Sequence, residues 1–375
     1  VESYINRLNN SGKKFVIAVT GGGVGAVSAL TSVAGASKSL LEATVPYSRE
    51  ALEKYLENPP ERSCTPDVAA DLALCALKRA RGFLPGGRHD LLGVGATCSL
   101  TTDPPRLGEN RCFVSVIGSN VSIHRGLVLN KGERQRPTEE AVASQMILSI
   151  LMRAAGIERD LPLDLRDDER LFDTTPDLEF WVSRLESGRA EILMVNGSGK
   201  VVPELPDNIG VLPGSYNPLH KGHLALIEAA SAQLDAPVVP EISLLNVDKP
   251  ALSLNEILCR VRQFQSTDVV VITCAATFLQ KARLFPGTTF VIGEDTADRL
   301  ITPRYYGGSA DEMRKALAEM DTAGCRFLVA GRVAAGGVFR TLADVRIPEA
   351  YARMFAALPE EKFRLDRSSS EIRNL

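Results

Sequence analysis

The sequence predicts an α/β protein made of two α/β domains, and three observations carry that reading. At 375 residues the chain exceeds what one hydrophobic core usually serves. Short β-rich runs alternate with stretches of helical spacing along both halves. Between the halves lie "ERDLPLDLRDDERLF" and "NGSGKVVPELPDN", charged or rich in Gly and Pro, with a short patch around Trp181 between them. The expected division is 1–160 for the first domain, 161–206 for a linker region and 207–375 for the second domain.

In the first half "KFVIAV" and "RCFVSVIG" read as strands and "TPDVAADLALCALKRARGF" as the clearest helix. Thr65 can cap that helix, Pro66 suits its first position, and Asp67 suits the positive end of the dipole. A second helix, "PTEEAVASQMILSILMRAAG", is expected to start at Thr138 and stop at Gly156. From Asn208 onward, "IGVL", "EISLLN", "DVVVITC", "TTFVIG" and "CRFLVAG" each precede a loop and helical spacing. This βαβ alternation predicts a parallel sheet covered on both faces, with ligands at the carboxyl ends of its strands. There is no internal repeat and no low-complexity tract.

Composition narrows the function. With 45% hydrophobic and 24% charged residues the chain reads as soluble and globular, and a net charge of -3 gives no global basic field. A nucleic-acid partner held by phosphate neutralisation is therefore disfavoured, whereas small anions can be bound by local positive groups. The seven cysteines (Cys64, Cys75, Cys98, Cys112, Cys259, Cys274, Cys325) are odd in number and lack CxxC spacing, which argues against a disulfide framework or a zinc site. A reducing, cytoplasmic compartment is the expectation. No apolar run approaches the roughly 20 residues that cross a bilayer, and no signal-like segment opens the sequence, which begins with Val1; no membrane partner is expected.

Half of the chain's four histidines crowd into "GVLPGSYNPLHKGHLALIEAA". There "IGVL" enters as a buried strand, "PGSYNP" is turn chemistry, and "HLALIEAASAQL" leaves as a helix. His220, Gly222 and His223 then lie at a helix N-terminus, where free N–H groups and the positive dipole end attract an anion. Gly222 has no side chain, so a phosphate can approach the backbone. An H-x-x-H pair without nearby Cys or acidic ligands does not suggest zinc, and no protein metal site is expected.

These residues resemble the nucleotidyltransferase superfamily motif G-[ST]-[FY]-x-P-x-H-x-G-H, matched by Gly214, Ser215, Tyr216, Pro218, His220, Gly222 and His223. The same superfamily carries [ST]-[ST]-[ST]-x-[IL]-R near its end, and "RSSSEIRNL" fits it with Ser368, Ser369, Ser370, Ile372 and Arg373. A serine run before a helical turn offers hydroxyls and free N–H groups, and an arginine one turn later can fork onto phosphate oxygens. Three further segments are similar to the nicotinamide mononucleotide adenylyltransferases. "VIGEDTADRLITPRYY" supplies Gly293, Asp295, Leu300, Pro303 and an aromatic at Tyr305 or Tyr306 to stack on a pyridine. "CRFLVAGR" ends in Arg332, and "NVDKPALSLNEILCR" holds Lys249 and Arg260. Glu294 departs from that family, which more often has a small residue there, and so leaves the identity of the acceptor open; the expected acceptor is nicotinamide mononucleotide or its nicotinate counterpart.

The resemblance implies that an acceptor phosphate attacks the α-phosphorus of ATP and pyrophosphate leaves, with Mg²⁺ bridging the triphosphate oxygens. His220, His223 and Arg373 would be catalytic. Gly214, Ser215, Tyr216, Gly222, Lys249, Gly293, Asp295, Arg332, Ser369 and Ser370 would bind nucleotide, with Asp295 on the ribose hydroxyls of ATP. The alternatives are a cytidylyltransferase acting on another phosphorylated acceptor, and a nucleotide-binding protein without turnover.

The first half opens with "VIAVTGGGVGAVSAL", whose Gly21, Gly22, Gly23 and Gly25 do not have the G-x-G-x-x-G spacing of a dinucleotide loop. Residues 10 to 158 resemble the CinA-type nicotinamide-nucleotide amidases, through "VTGGG", "AGASKSLLEATVPYS" and the helix that follows. That family's A-E-S-x-T-G-G motif reads "VIAVTGG", which puts Ala18 at the nucleophilic serine. Its lysine is replaced by Leu52, and its G-I-A-G-P loop has become "GATCSL". An alanine cannot be acylated, so this half reads as a degenerate amidase domain that binds a nucleotide, or that serves dimerisation and stability. A homo-oligomer through this half is one expectation.

Overall fold

The computed structural model describes residues 1–58, 60–84, 90–118, 121–157, 161–199, 201, 208–245, 250–265, 268–333 and 338–364. They form two compact units, Val1–Phe180 and Trp181–Leu375. No helix among the described residues is long and apolar enough to cross a membrane.

The first unit runs α1 (Glu2–Asn9), β1 (Lys14–Thr20), α2 (Val24–Ser32), β2 (Leu40–Thr44), α3 (Arg49–Leu56), α4 (Pro66–Phe83), β3 (Leu91–Ser99), β4 (Asn110–Gly118), β5 (Val121–Leu129), α5 (Arg136–Ala154), β6 (Arg170–Asp173). Its sheet has the order β2-β1-β3-β4-β5-β6, parallel across β2, β1 and β3 and antiparallel from β3 to β6. Helix α4 begins as its caps dictate, with Thr65 Oγ1 accepting the Val68 N–H at 3.2 Å. It lies directly on β3 because Gly93 and Gly95 have no side chains: a Cβ there would come within 2.0 Å of Ala73 O and 2.2 Å of Ala69 O. Helix α5 starts at Arg136, two residues before the expected Thr138, since Pro137 fits the first turn, where a backbone N–H has no partner. Its Ile147, Leu151 and Met146 share one core with Phe15, Ile17 and Val19 of β1 and with Val94 and Val114.

The division between the units falls within α6 (Leu178–Glu186). The second unit continues with β7 (Ile192–Asn196), β8 (Gly210–Pro213), α7 (Lys221–Leu234), β9 (Val238–Ser243), α8 (Leu254–Val261), β10 (Val269–Thr273), α9 (Phe278–Leu284), β11 (Thr289–Gly293), α10 (Glu294–Leu300), α11 (Ala310–Thr322), β12 (Arg326–Ala330), β13 (Arg332–Val333), β14 (Phe339–Arg340) and β15 (Phe355–Leu358). The main sheet has the order β15-β12-β11-β8-β9-β10-β7. Every pairing in it is parallel except that of β7 with β10. The segment expected as a linker therefore holds β6, which joins the first sheet, and β7, which adds an antiparallel edge to a sheet expected to be wholly parallel. The expected strand "EISLLN" is also corrected: β9 starts at Val238 and includes Pro240. A proline is tolerated there because register with β10 begins only at Glu241.

The chain builds β8, β9 and β10 outward in one direction, then returns to place β11 on the other side of β8. That makes β8 and β11 the switch point, where open α/β sheets bind ligands. These two strands are in register over only Gly210–Thr289 and Val211–Phe290. Beyond Val211 they are free to part.

Candidate active site

Past the end of β8 the backbone turns sharply at Tyr216, held at a φ of 44°, a conformation that is rare and strained for a bulky residue. Packing holds it there. The Tyr216 side chain is fully buried, its hydroxyl donates to Leu212 O at 2.6 Å, and its ring meets Phe264 edge-on at 5.3 Å. Gly214 makes room, since a Cβ on it would sit 2.8 Å from the Tyr216 ring. The expectation that Tyr216 touches the nucleotide is thereby corrected: it does not line the cleft but lies beneath it.

Residues following α8 clamp the same loop. Gln263 donates through Nε2 to Tyr216 O at 2.9 Å and accepts the Leu219 N–H through Oε1 at 2.7 Å. Within α8, Arg260 Nη1 donates to Ser215 O at 3.0 Å.

Helix α7 then starts with His220 as its N-cap residue. His223 Nδ1 accepts the His220 backbone N–H at 3.3 Å, and the two rings stack with centroids 3.7 Å apart at 21°. The Tyr216 ring supports His223 from below, edge-on at 4.9 Å. Burial pushes the His220 imidazole below its ordinary pKa and takes His223 down to about 4, with His220 adding to the second shift. Both shifts favour the neutral imidazole in the free protein.

The stacked pair faces a cleft of about 770 Å³ at the carboxyl ends of β8, β9, β11 and β12. Gly214, Ser215, His220, Gly222, His223, Gly293, Asp295 and Arg332 all line it, so these eight expected residues are brought together. Arg260, Leu300, Tyr305 and Tyr306 line it as well. Asp295 and Arg332 form an ion pair at 2.9 Å, and a Cβ on Gly293 would stand 2.8 Å from Asp295 Oδ1. Glu294, the departure from the family pattern, is 2% exposed and does not line the cleft. It forms an ion pair with Arg340 at 2.8 Å, beside the first pair, because Arg332 and Arg340 are cross-strand partners in β13–β14. Lys249, Ser369, Ser370 and Arg373, with Ser368 and Ile372, lie outside the described residues. Phe363, a few positions before the serine run, lines the cleft.

Comparison with known proteins bears on the same segment. Residues 211–375 match the cytidylyltransferase-like family. This cytidylyltransferase-like domain is of nucleotidyltransferase type, and its match begins inside β8 and takes in the histidine loop and the serine tail. No curated protein sequence matches the chain. Among solved structures, the N-terminal part is similar to CinA-superfamily proteins. The competence/damage inducible protein CihA from Agrobacterium tumefaciens is 18% identical, covering 41% of this chain and 94% of its own, with a TM-score of 0.33. A CinA superfamily protein from Klebsiella pneumoniae is 14% identical, at 41% and 95% coverage and a TM-score of 0.32. Another from Enterobacter cloacae is 17% identical, at 41% and 89% coverage and a TM-score of 0.31.

The cytidylyltransferase-like domain also places in its cleft residues that sequence reasoning missed. Arg299 lines it and lies over the Tyr305 ring at 5.9 Å, and Glu241, Phe278 and Lys281 line it too. Arg299 falls at a position that the quoted segment "VIGEDTADRLITPRYY" leaves unspecified, and the other three belong to no local motif; the fold assembles them. Among the described residues no group of three or more His, Cys, Asp or Glu side chains could hold a metal ion.

In the first unit the glycine turn is closed by the protein itself. The Gly23 and Gly25 N–H groups, at the start of α2, donate to Glu140 Oε2 at 2.8 Å and Oε1 at 3.1 Å. A carboxylate of α5 thus takes the place a phosphate would need. Ala18 and Leu52, at the positions of the amidase serine and lysine in the resemblance, are 0% and 2% exposed and pack in one apolar cluster with Leu56, Val68 and Leu72.

Proposed function

We propose that the cytidylyltransferase-like domain is an adenylyltransferase that transfers AMP from ATP to the phosphate of nicotinamide mononucleotide or its nicotinate counterpart. A phosphate oxygen of the acceptor attacks the α-phosphorus; as that P–O bond forms, the bond to the bridging oxygen breaks and pyrophosphate departs. No covalent enzyme intermediate is needed. Such chemistry asks for positioning and charge neutralisation.

The observation that carries this reading is the stacked pair His220 and His223, set on a helix N-terminus in a cleft also lined by Arg260, Arg299 and Arg332. Neutral imidazoles in the free protein can take up a proton when the triphosphate arrives and stabilise charge on the transferred and leaving groups. Mg²⁺ would come with the triphosphate, whose oxygens supply most of its ligands. Phe363 lines the cleft, and the serine run begins five residues later in the sequence, at Ser368, which supports Ser369, Ser370 and Arg373 as further phosphate ligands. A pyridine mononucleotide is chosen because both halves resemble enzymes of that substrate class, and Tyr305 and Tyr306 offer rings for it.

The test is pyrophosphate release from ATP, CTP, GTP and UTP with each pyridine mononucleotide, with phosphopantetheine and with choline phosphate. Release with ATP and a pyridine mononucleotide is expected. Release with CTP and a phosphorylated alcohol would instead establish the cytidylyltransferase, and ATP binding without release would make the domain a nucleotide-binding module.

A further inference from the structure

The wall of the cleft contains a charge pair that none of these steps uses. Glu241 on β9 is fully buried and Lys281 on α9 is 4% exposed, and both line the cleft. Lys281 Nζ donates to Glu241 Oε1 at 2.6 Å and Oε2 at 2.7 Å, and Thr273 Oγ1 donates to Oε1 at 2.5 Å. Two ions taken out of water are a costly way to fill space that apolar side chains could fill as well. A pair retained beside a ligand cleft is accordingly a candidate for recognition.

The donor count says what it can recognise. An ammonium has three N–H groups. Even when each Glu241 oxygen takes one, the third has no partner among the described residues. Phe278 and Leu279, on the same helix, add apolar surface to the cleft beside it. We infer that Lys281 hydrogen-bonds the acyl oxygen on the acceptor's pyridine ring, and that Glu241, by neutralising Lys281, makes the site select the carboxamide over the carboxylate.

The choice follows from charge. A carboxamide oxygen accepts the third N–H without bringing a new charge into a dry wall. A carboxylate in the same place adds a negative charge next to Glu241, with Lys281 already balanced and the Thr273 hydroxyl already committed. This inference rests on the adenylyl-transfer reading and decides the acceptor that reading left open.

The experiment measures kcat/KM for nicotinamide mononucleotide and for nicotinate mononucleotide, at saturating ATP, in the wild type, Glu241→Gln and Lys281→Met. The wild type is expected to favour the carboxamide by at least ~10-fold, on the scale of one charged or missing group in a specificity pocket. Glu241→Gln, which leaves Lys281 uncompensated, is expected to shrink or invert that ratio. Lys281→Met is expected to raise KM for both acceptors and leave KM for ATP unchanged. Equal or nicotinate-favoured turnover by the wild type overturns the inference while adenylyl transfer stands, as does an unchanged ratio in a folded Glu241→Gln. No turnover of either mononucleotide overturns both. The wild-type ratio needs no variant, so a variant that fails to fold leaves the test intact.

Discussion

His223 Nδ1 accepts the backbone N–H of His220 at 3.3 Å while the two imidazoles stack 3.7 Å apart. One side chain thus caps α7 and faces the cleft, and the two roles separate by substitution. His223→Ala is expected to lower turnover at least ~100-fold, the scale of removing one charge-stabilising donor, and to cost about 1 kcal/mol of stability through the missing cap. His223→Asn, which keeps an acceptor for the cap but cannot be protonated near neutrality, should recover the stability and not the turnover. Near-normal pyrophosphate release by either variant would take this histidine out of the chemistry.

The depressed histidines set the pH behaviour. A bound triphosphate favours protonated imidazole, so ATP binding at pH 7 should take up protons and should tighten as the pH falls. Calorimetry in buffers of different ionisation enthalpy reads this directly; heats independent of buffer would contradict it. Folding stability runs the other way. His223 and the buried His124, which sits between Ser115 and Ser122, both have pKa values of about 4 in the folded chain, below the ordinary 6.5. The unfolded chain then binds these protons first, so stability present above pH 6.5 is lost as the pH falls through 4.

In the first unit, Ala18 and Leu52 sit in one apolar cluster. Leu52→Lys, the residue of the amidase pattern, would bury an unpaired ammonium and is expected to destabilise the chain by about 3 kcal/mol or more, measured by urea unfolding. A stable Leu52→Lys variant, or ammonia release from nicotinamide mononucleotide by the wild type, would show that this cluster still tolerates or performs polar chemistry.

Gln263 ties the histidine loop at two backbone groups, Tyr216 O and Leu219 N. Gln263→Met keeps the length and removes both bonds. The expected result is a roughly 10-fold fall in kcat with a small change in KM for the acceptor. A change confined to thermal stability would make the residue purely structural.

What was legible in the sequence was what local chemistry determines. The caps of α4, the strand–turn–helix around His220, and the runs that became β10, β11 and β12 each carry their own signal. Strand β6 did not: all four of its residues are exposed, so no alternation marks it. Neither did β9, where Pro240 reads as a terminator unless the later onset of pairing with β10 is known. Tyr216 matched a ligand-binding motif yet is buried, because the motif records the turn as well as the ligand. Gln263, Glu140 and the Glu241–Lys281 pair were invisible for a different reason. Each acts on residues distant in sequence, and a lone Gln, Glu or Lys ordinarily faces water.

The central claim is that one triphosphate is held by both the start of α7 and the serine–arginine tail. It is tested most directly by titrating ATP into the wild type, His220→Ala and Arg373→Ala and comparing Kd by calorimetry. The account predicts that each substitution weakens ATP binding at least ~10-fold, the scale of one charge-assisted hydrogen bond. Wild-type affinity in the Arg373→Ala chain would contradict it.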